Sequence, residues 1–173
     1  MSKPVLIFIP GAWHRPEGFN TIISKLTPLG YKCIALPLQA VVKQPAVKDL
    51  QPDIDALREV VLKESDAGND IVVVGHSWGG IVVTGALDGL GKVQREKEGN
   101  NGGVVKIAYL CAFAPSENVS LIEAQGGQIP DFYDVKVRKS PRHPRKVPVT
   151  YSYFNPGALG DGQRSGADVL PRS

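Results

Sequence analysis

The sequence predicts an α/β protein: a mainly parallel sheet flanked by helices, followed by an irregular C-terminal tail. Three observations carry this. Short, continuous apolar runs recur along the first 111 residues, as expected of strands buried on both faces. Segments with helical spacing separate them, and strands that alternate with helices imply right-handed crossovers and parallel pairing. After residue 135 the apolar periodicity stops.

The elements follow in order. Val5-Leu6-Ile7-Phe8-Ile9 is a strand closed by Pro10-Gly11. Residues 17–29 place Phe19, Ile22, Ile23, Leu26 and Leu29 on one helical face, and Gly30 suits the C-cap. Residues 31–38 read as a second strand and 39–49 as a loop. Pro52 fits the first turn of a helix whose Ile54, Leu57 and Val61 share a face, with Gly68-Asn69 ending it. Ile71-Val72-Val73-Val74 is the third strand, residues 80–90 a helix rich in small side chains, and 92–103 a charged Gly/Asn-rich surface loop. Residues 104–111 form the fourth strand, and 114–127 have room for a short helix.

Bulk properties narrow the class. A chain of 173 residues that is 42% apolar can bury one sizeable core. It has no apolar run of the length a membrane span requires. The apolar N-terminal run is preceded by Pro4 and ended by Pro10-Gly11, and it reads as a strand, not a signal peptide. Cys33 and Cys111 fall in predicted strands, too few and too far apart for a disulfide or metal framework. The expected location is cytoplasmic. The net charge of +3 is uneven: residues 1–135 hold 12 Lys/Arg against 15 Asp/Glu, and 136–173 hold 8 against 2. The basic tail lacks interleaved aromatic residues, so neither a nucleic-acid nor a membrane partner is expected. With five prolines and four glycines in 38 positions, it is expected to be irregular or disordered. The chain thus divides into a core of residues 1–135 and a tail of residues 136–173.

The chemistry lies at Gly75-His76-Ser77-Trp78-Gly79, between the third apolar run and a helix. A serine on such a strand-to-helix turn has strained backbone angles and a side chain lifted clear of the sheet. Gly75 and Gly79 let strand and helix approach, and the helix N-terminus favours negative charge near Ser77. Acyl transfer also needs two N–H groups aimed at the developing oxyanion. The amides of Trp78 and of Ala12, in Pro10-Gly11-Ala12-Trp13-His14, are the candidates, with Trp13 and His14 lining the pocket.

Together with Gly102-Gly103-Val104-Val105-Lys106-Ile107-Ala108-Tyr109-Leu110-Cys111-Ala112-Phe113-Ala114-Pro115, these motifs resemble small fungal-type α/β-hydrolases, relatives of plant methyl-ester esterases and hydroxynitrile lyases. The resemblance runs from Pro4 to about Val135. It implies a partial α/β-hydrolase fold, with the start of a small lid at residues 116–133. It also implies a small ester or carbonyl substrate and no metal or organic cofactor.

In this family the triad runs serine, acid, histidine. His14 and His76 precede Ser77, and the turn is expected to pack His76 away from the serine. His143 is the one downstream histidine and the candidate base, but it sits in a basic, proline-flanked stretch. Asp161 and Asp168 follow it, in the wrong order, and Glu117, Glu123, Asp131 and Asp134 do not clearly end a strand. The acid and histidine therefore read as missing, and the chain as C-terminally truncated or altered, its tail resembling a foreign reading frame or a retained intron. Two functions stay open: an esterase-like serine hydrolase acting through Ser77, and an inactive member that binds a small ligand or partner.

Overall fold

The structure, a computed structural model, describes residues 2–116 and 119–128. Its centre is a four-stranded sheet built from β1 (Val5–Ile9), β2 (Cys33–Ala35), β3 (Asp70–His76) and β4 (Gly103–Leu110). The strands run in the order β2-β1-β3-β4, and every pairing is parallel. The helices are α1 (Asn20–Leu26), α2 (Gln39–Val42), α3 (Gln51–Asp66), α4 (Gly79–Ala86), α5 (Lys92–Lys97) and α6 (Leu121–Ala124).

The core lies between one sheet face and the pair α3 and α4. Ile7 and Ile9 of β1 and Ile71 and Val73 of β3 alternate onto that face and meet Leu57 and Val61 of α3 and Val82, Val83 and Ala86 of α4. Small residues in α4 make this close packing possible. Gly85, for example, leaves room for Ile54 of α3, which a methyl there would meet at 2.8 Å. The opposite face carries Phe8, whose ring lies 5.1 Å from that of Phe19.

The predicted helix over residues 17–29 is broken into 3-10 turns at Pro16–Phe19 and Thr27–Leu29 around α1. Gly30 does terminate it in the left-handed conformation, φ 83°. The predicted apolar stripe is only partly used: Phe19, Ile23 and Leu26 are half-buried, while Ile22 and Leu29 are exposed.

Two stretches read as loops contain helical turns. α2 forms because the buried Asp53 carboxylate accepts hydrogen bonds from the Gln39 and Ala40 amides. α5 forms around Arg95, a buried guanidinium that donates to the Gly102 carbonyl at 3.2 Å and to Asp66 at 2.7 Å. Charge in the sequence suggested a solvated loop, but this charge is an internal tie between α3, α5 and the entry to β4.

β4 has a single strand partner, β3, among the described residues, with one further bridge from Val104 to Gly91, and Val105, Ile107, Tyr109 and Leu110 on it are exposed. No helix among the described residues is long and apolar enough to cross a membrane.

Candidate active site at the carboxyl ends of β1 and β3

Register assembles the site. β1 and β3 are adjacent and parallel, with Ile9 opposite Gly75, so the loops leaving them emerge side by side. In parallel sheets this end is where ligand-binding loops gather. The 10–14 segment and Ser77 are thereby neighbours although more than sixty residues separate them in sequence.

Ser77 has φ 52°, a left-handed conformation that costs a non-glycine residue roughly 1–2 kcal/mol. Three backbone hydrogen bonds hold it there. Its N–H donates to the Leu110 carbonyl at 3.2 Å, and its carbonyl accepts from Gly80 at 3.1 Å and Phe113 at 3.0 Å. Two of these partners lie at or just beyond the end of β4. No local sequence signal identified Leu110 and Phe113 as supports, because the bonds are long-range and use the main chain. Among the described residues the Ser77 hydroxyl makes no hydrogen bond.

Glycines allow this crowding. A methyl at Gly75 would lie 3.0 Å from the Gly79 carbonyl oxygen, and one at Gly79 would lie 2.5 Å from the Ile9 oxygen and 2.7 Å from the Pro10 oxygen. The constraint at Gly79 thus comes from β1, not from its own strand. A methyl at Gly80 would collide with the Phe113 carbonyl oxygen and the Ala112 side chain.

The loop after β1 is a tight turn in which His14 N–H donates to the Gly11 carbonyl at 3.2 Å and Trp13 has φ 62°. Ala12 N–H donates to no acceptor among the described residues, as an oxyanion donor requires in the resting state. Trp78 N-caps α4, so its amide belongs to the first turn of that helix, where N–H groups lack helical acceptors.

His76 is half-buried and makes no hydrogen bond among the described residues; its ring meets that of His14 edge-on, with centroids 6.2 Å apart. His14 is exposed and its Nδ1 lies 2.8 Å from the Ala12 carbonyl oxygen. His143 lies outside the described residues, as do Glu117, Asp131, Asp134, Asp161 and Asp168. Glu123 is described, and its carboxylate closes a capping box with Ser120 at the start of α6. No group of three or more His, Cys, Asp or Glu among the described residues could hold a metal ion.

Comparison with known proteins places this arrangement. The sequence profile of the alpha/beta hydrolase family matches residues 6–171, and the chain belongs to that family. It is 36% identical over 121 residues to the alpha/beta hydrolase nvfD of Aspergillus novofumigatus, covering 70% of this chain and 48% of that protein. It is 33% identical over 131 residues to the probable hydrolase R7 of a Phoma species, covering 74% and 50%. The chain therefore spans about half the length of these relatives. Tomato methylketone synthase I in complex with 2-tridecanone shares the fold at a TM-score of 0.59 and 19% identity, over 83% of this chain and 55% of that one. Polyneuridine aldehyde esterase does so at 0.59 and 18%, over 82% and 56%. The resemblance to small hydrolases related to plant esterases holds.

Proposed function

We propose that this alpha/beta hydrolase is an esterase-like serine hydrolase that cleaves small carboxylic esters through Ser77. The observation that carries the reading is the backbone of Ser77. A serine held in a left-handed conformation between β3 and α4, its hydroxyl unbonded, serves a nucleophile well and a structural turn poorly. A glycine would fill the turn without strain.

In this reading Ser77 Oγ attacks the ester carbonyl carbon. The Ala12 and Trp78 amides stabilise the oxyanion, the alkoxide departs with a proton, and water hydrolyses the acyl-enzyme. Trp13 and His14 line the pocket. The chemistry calls for neither a metal nor an organic cofactor. In the family's chain order the base follows the acid, which makes His143 the histidine of this sequence to carry that role. Free Cys33 and Cys111 fit a reducing compartment, the cytoplasm.

A second reading, a small-ligand-binding protein without turnover, rests on the sequence around His143, the one histidine that follows Ser77: it sits in a basic, proline-flanked stretch that suits a catalytic base poorly. Hydrolysis of p-nitrophenyl acetate by the protein and by Ser77→Ala separates the two. The esterase reading expects turnover that falls by at least about 100-fold in the variant. Equal rates in both proteins would favour the binding reading.

A further inference from the structure

β3 and β4 stop at the same level of the sheet, and each is followed or closed there by a left-handed residue. Their last registered pair is His76 with Leu110, so Ser77 and Cys111 are the next residues out on the two chains. Ser77 has φ 52° and Cys111 has φ 43°. A Cβ makes this region unfavourable, so each such residue must be held there by its surroundings. The Cys111 side chain is exposed, which leaves its main chain as the part that matters.

That main chain joins two groups that both bond to Ser77. The Leu110 carbonyl accepts from the Ser77 N–H at 3.2 Å, and the Phe113 N–H donates to the Ser77 carbonyl at 3.0 Å. A strand continuing straight on would carry Phe113 about 10 Å beyond Leu110, out of reach of the same residue. The turn at Cys111 brings it back. The turn also closes on the start of α4, where a methyl at Gly80 would lie 2.8 Å from Ala112 Cβ.

We propose that Cys111 is a positioning residue: its left-handed backbone folds residues 110–113 into a strap that grips Ser77 by its N–H and its carbonyl and so aims Oγ at the substrate. With Cys111 extended or right-handed, one of the two bonds is lost and Ser77 is free to turn.

This role rests on Ser77 being the nucleophile, and the test keeps the two apart. Fluorophosphonate labelling rates are measured for the protein and for Cys111→Val, Cys111→Asn, Cys111→Gly and Ser77→Ala, at a temperature where circular dichroism shows each to be folded. The branched valine resists the left-handed conformation, whereas asparagine and glycine accept it. Cys111→Val is expected to label at least about tenfold more slowly than the parent, and the Asn and Gly variants at least about tenfold faster than the Val variant. A merely structural turn would shift the unfolding midpoint and leave the labelling rate of the folded protein unchanged. Ser77-dependent labelling of folded Cys111→Val at the parent rate overturns the role of Cys111 alone. Labelling that is absent, or that persists in Ser77→Ala, overturns the nucleophile reading and this role with it. Should Cys111→Val not fold, hydrogen exchange in the parent decides. The Ser77 and Phe113 amides, as the two ends of one strap, should have protection factors within about tenfold of each other, and a larger difference overturns the strap.

Discussion

Gly79→Ala is the most exacting perturbation of this architecture. The added methyl would lie 2.5 Å from the Ile9 carbonyl oxygen, 2.7 Å from that of Pro10 and 3.0 Å from the Ile9 carbonyl carbon. An ordinary carbon–oxygen contact is about 3.3 Å, so the helix and the strand end must part by roughly 0.8 Å. The obstructing atoms are main chain, and β1 is fixed on both sides by β2 and β3, so no side chain can swing away. Overpacking of this kind costs about 1–3 kcal/mol, here toward the upper end. Alanine's better helix propensity returns up to about 1 kcal/mol, because Gly79 opens α4. The net loss of about 2 kcal/mol should lower the urea midpoint by roughly 1 M. The same displacement moves Trp78 and Ser77 relative to Ala12, and a shift near 1 Å can cost about 100-fold in rate. Gly18→Ala is the control, since a methyl there meets nothing within 4 Å; it should stay within about 0.5 kcal/mol of the parent. Urea unfolding and fluorophosphonate labelling of both variants form the assay. A Gly79→Ala midpoint equal to that of Gly18→Ala would refute the claim that β1 and α4 are in limiting contact at the site.

The remaining predictions address packing, the exposed side chains of β4 and the thiols. Ile7→Ala, at a fully buried position in the core, should cost about 2–5 kcal/mol by chemical denaturation. Arg95→Met removes the donors to Gly102 and Asp66 and should cost about 1–3 kcal/mol, with faster hydrogen exchange at the start of β4. Val105→Lys, on the exposed side of β4, should reduce concentration-dependent association seen by light scattering without lowering the unfolding midpoint. At pH 8 a maleimide should modify exposed Cys111 before Cys33, whose thiol is pushed up by partial burial and so carries less thiolate; raising the pH should speed the slow phase.

The parallel core was legible because its cause is local. Runs such as Val5–Ile9 and the 71–74 stretch are apolar on both faces, and the 3.6-residue spacing of Ile54, Leu57 and Val61 marks α3 without help from elsewhere. The serine turn was legible for the same reason: glycines flank it at the junction of two clear patterns. Less legible were elements stabilised from a distance. α2 depends on Asp53, 14 residues from Gln39, and α5 depends on a buried Arg95 whose partners lie on α3 and at the entry to β4. The apolar face over residues 17–29 was visible, but spacing does not reveal how much of a face finds a partner, and Ile22 and Leu29 do not. At the site, Ala12 and Trp78 could be proposed as oxyanion donors from their places beside the strands. The approach of His76 to Gly11 depends on the register of β1 against β3, which no local pattern encodes.

The central claim is that Ser77 is a nucleophile, and intact-mass spectrometry after fluorophosphonate treatment tests it most directly. The account predicts one covalent adduct per chain, mapped by fragmentation to Ser77 and lost in Ser77→Ala. An unmodified protein, or an adduct that survives in Ser77→Ala, would contradict it.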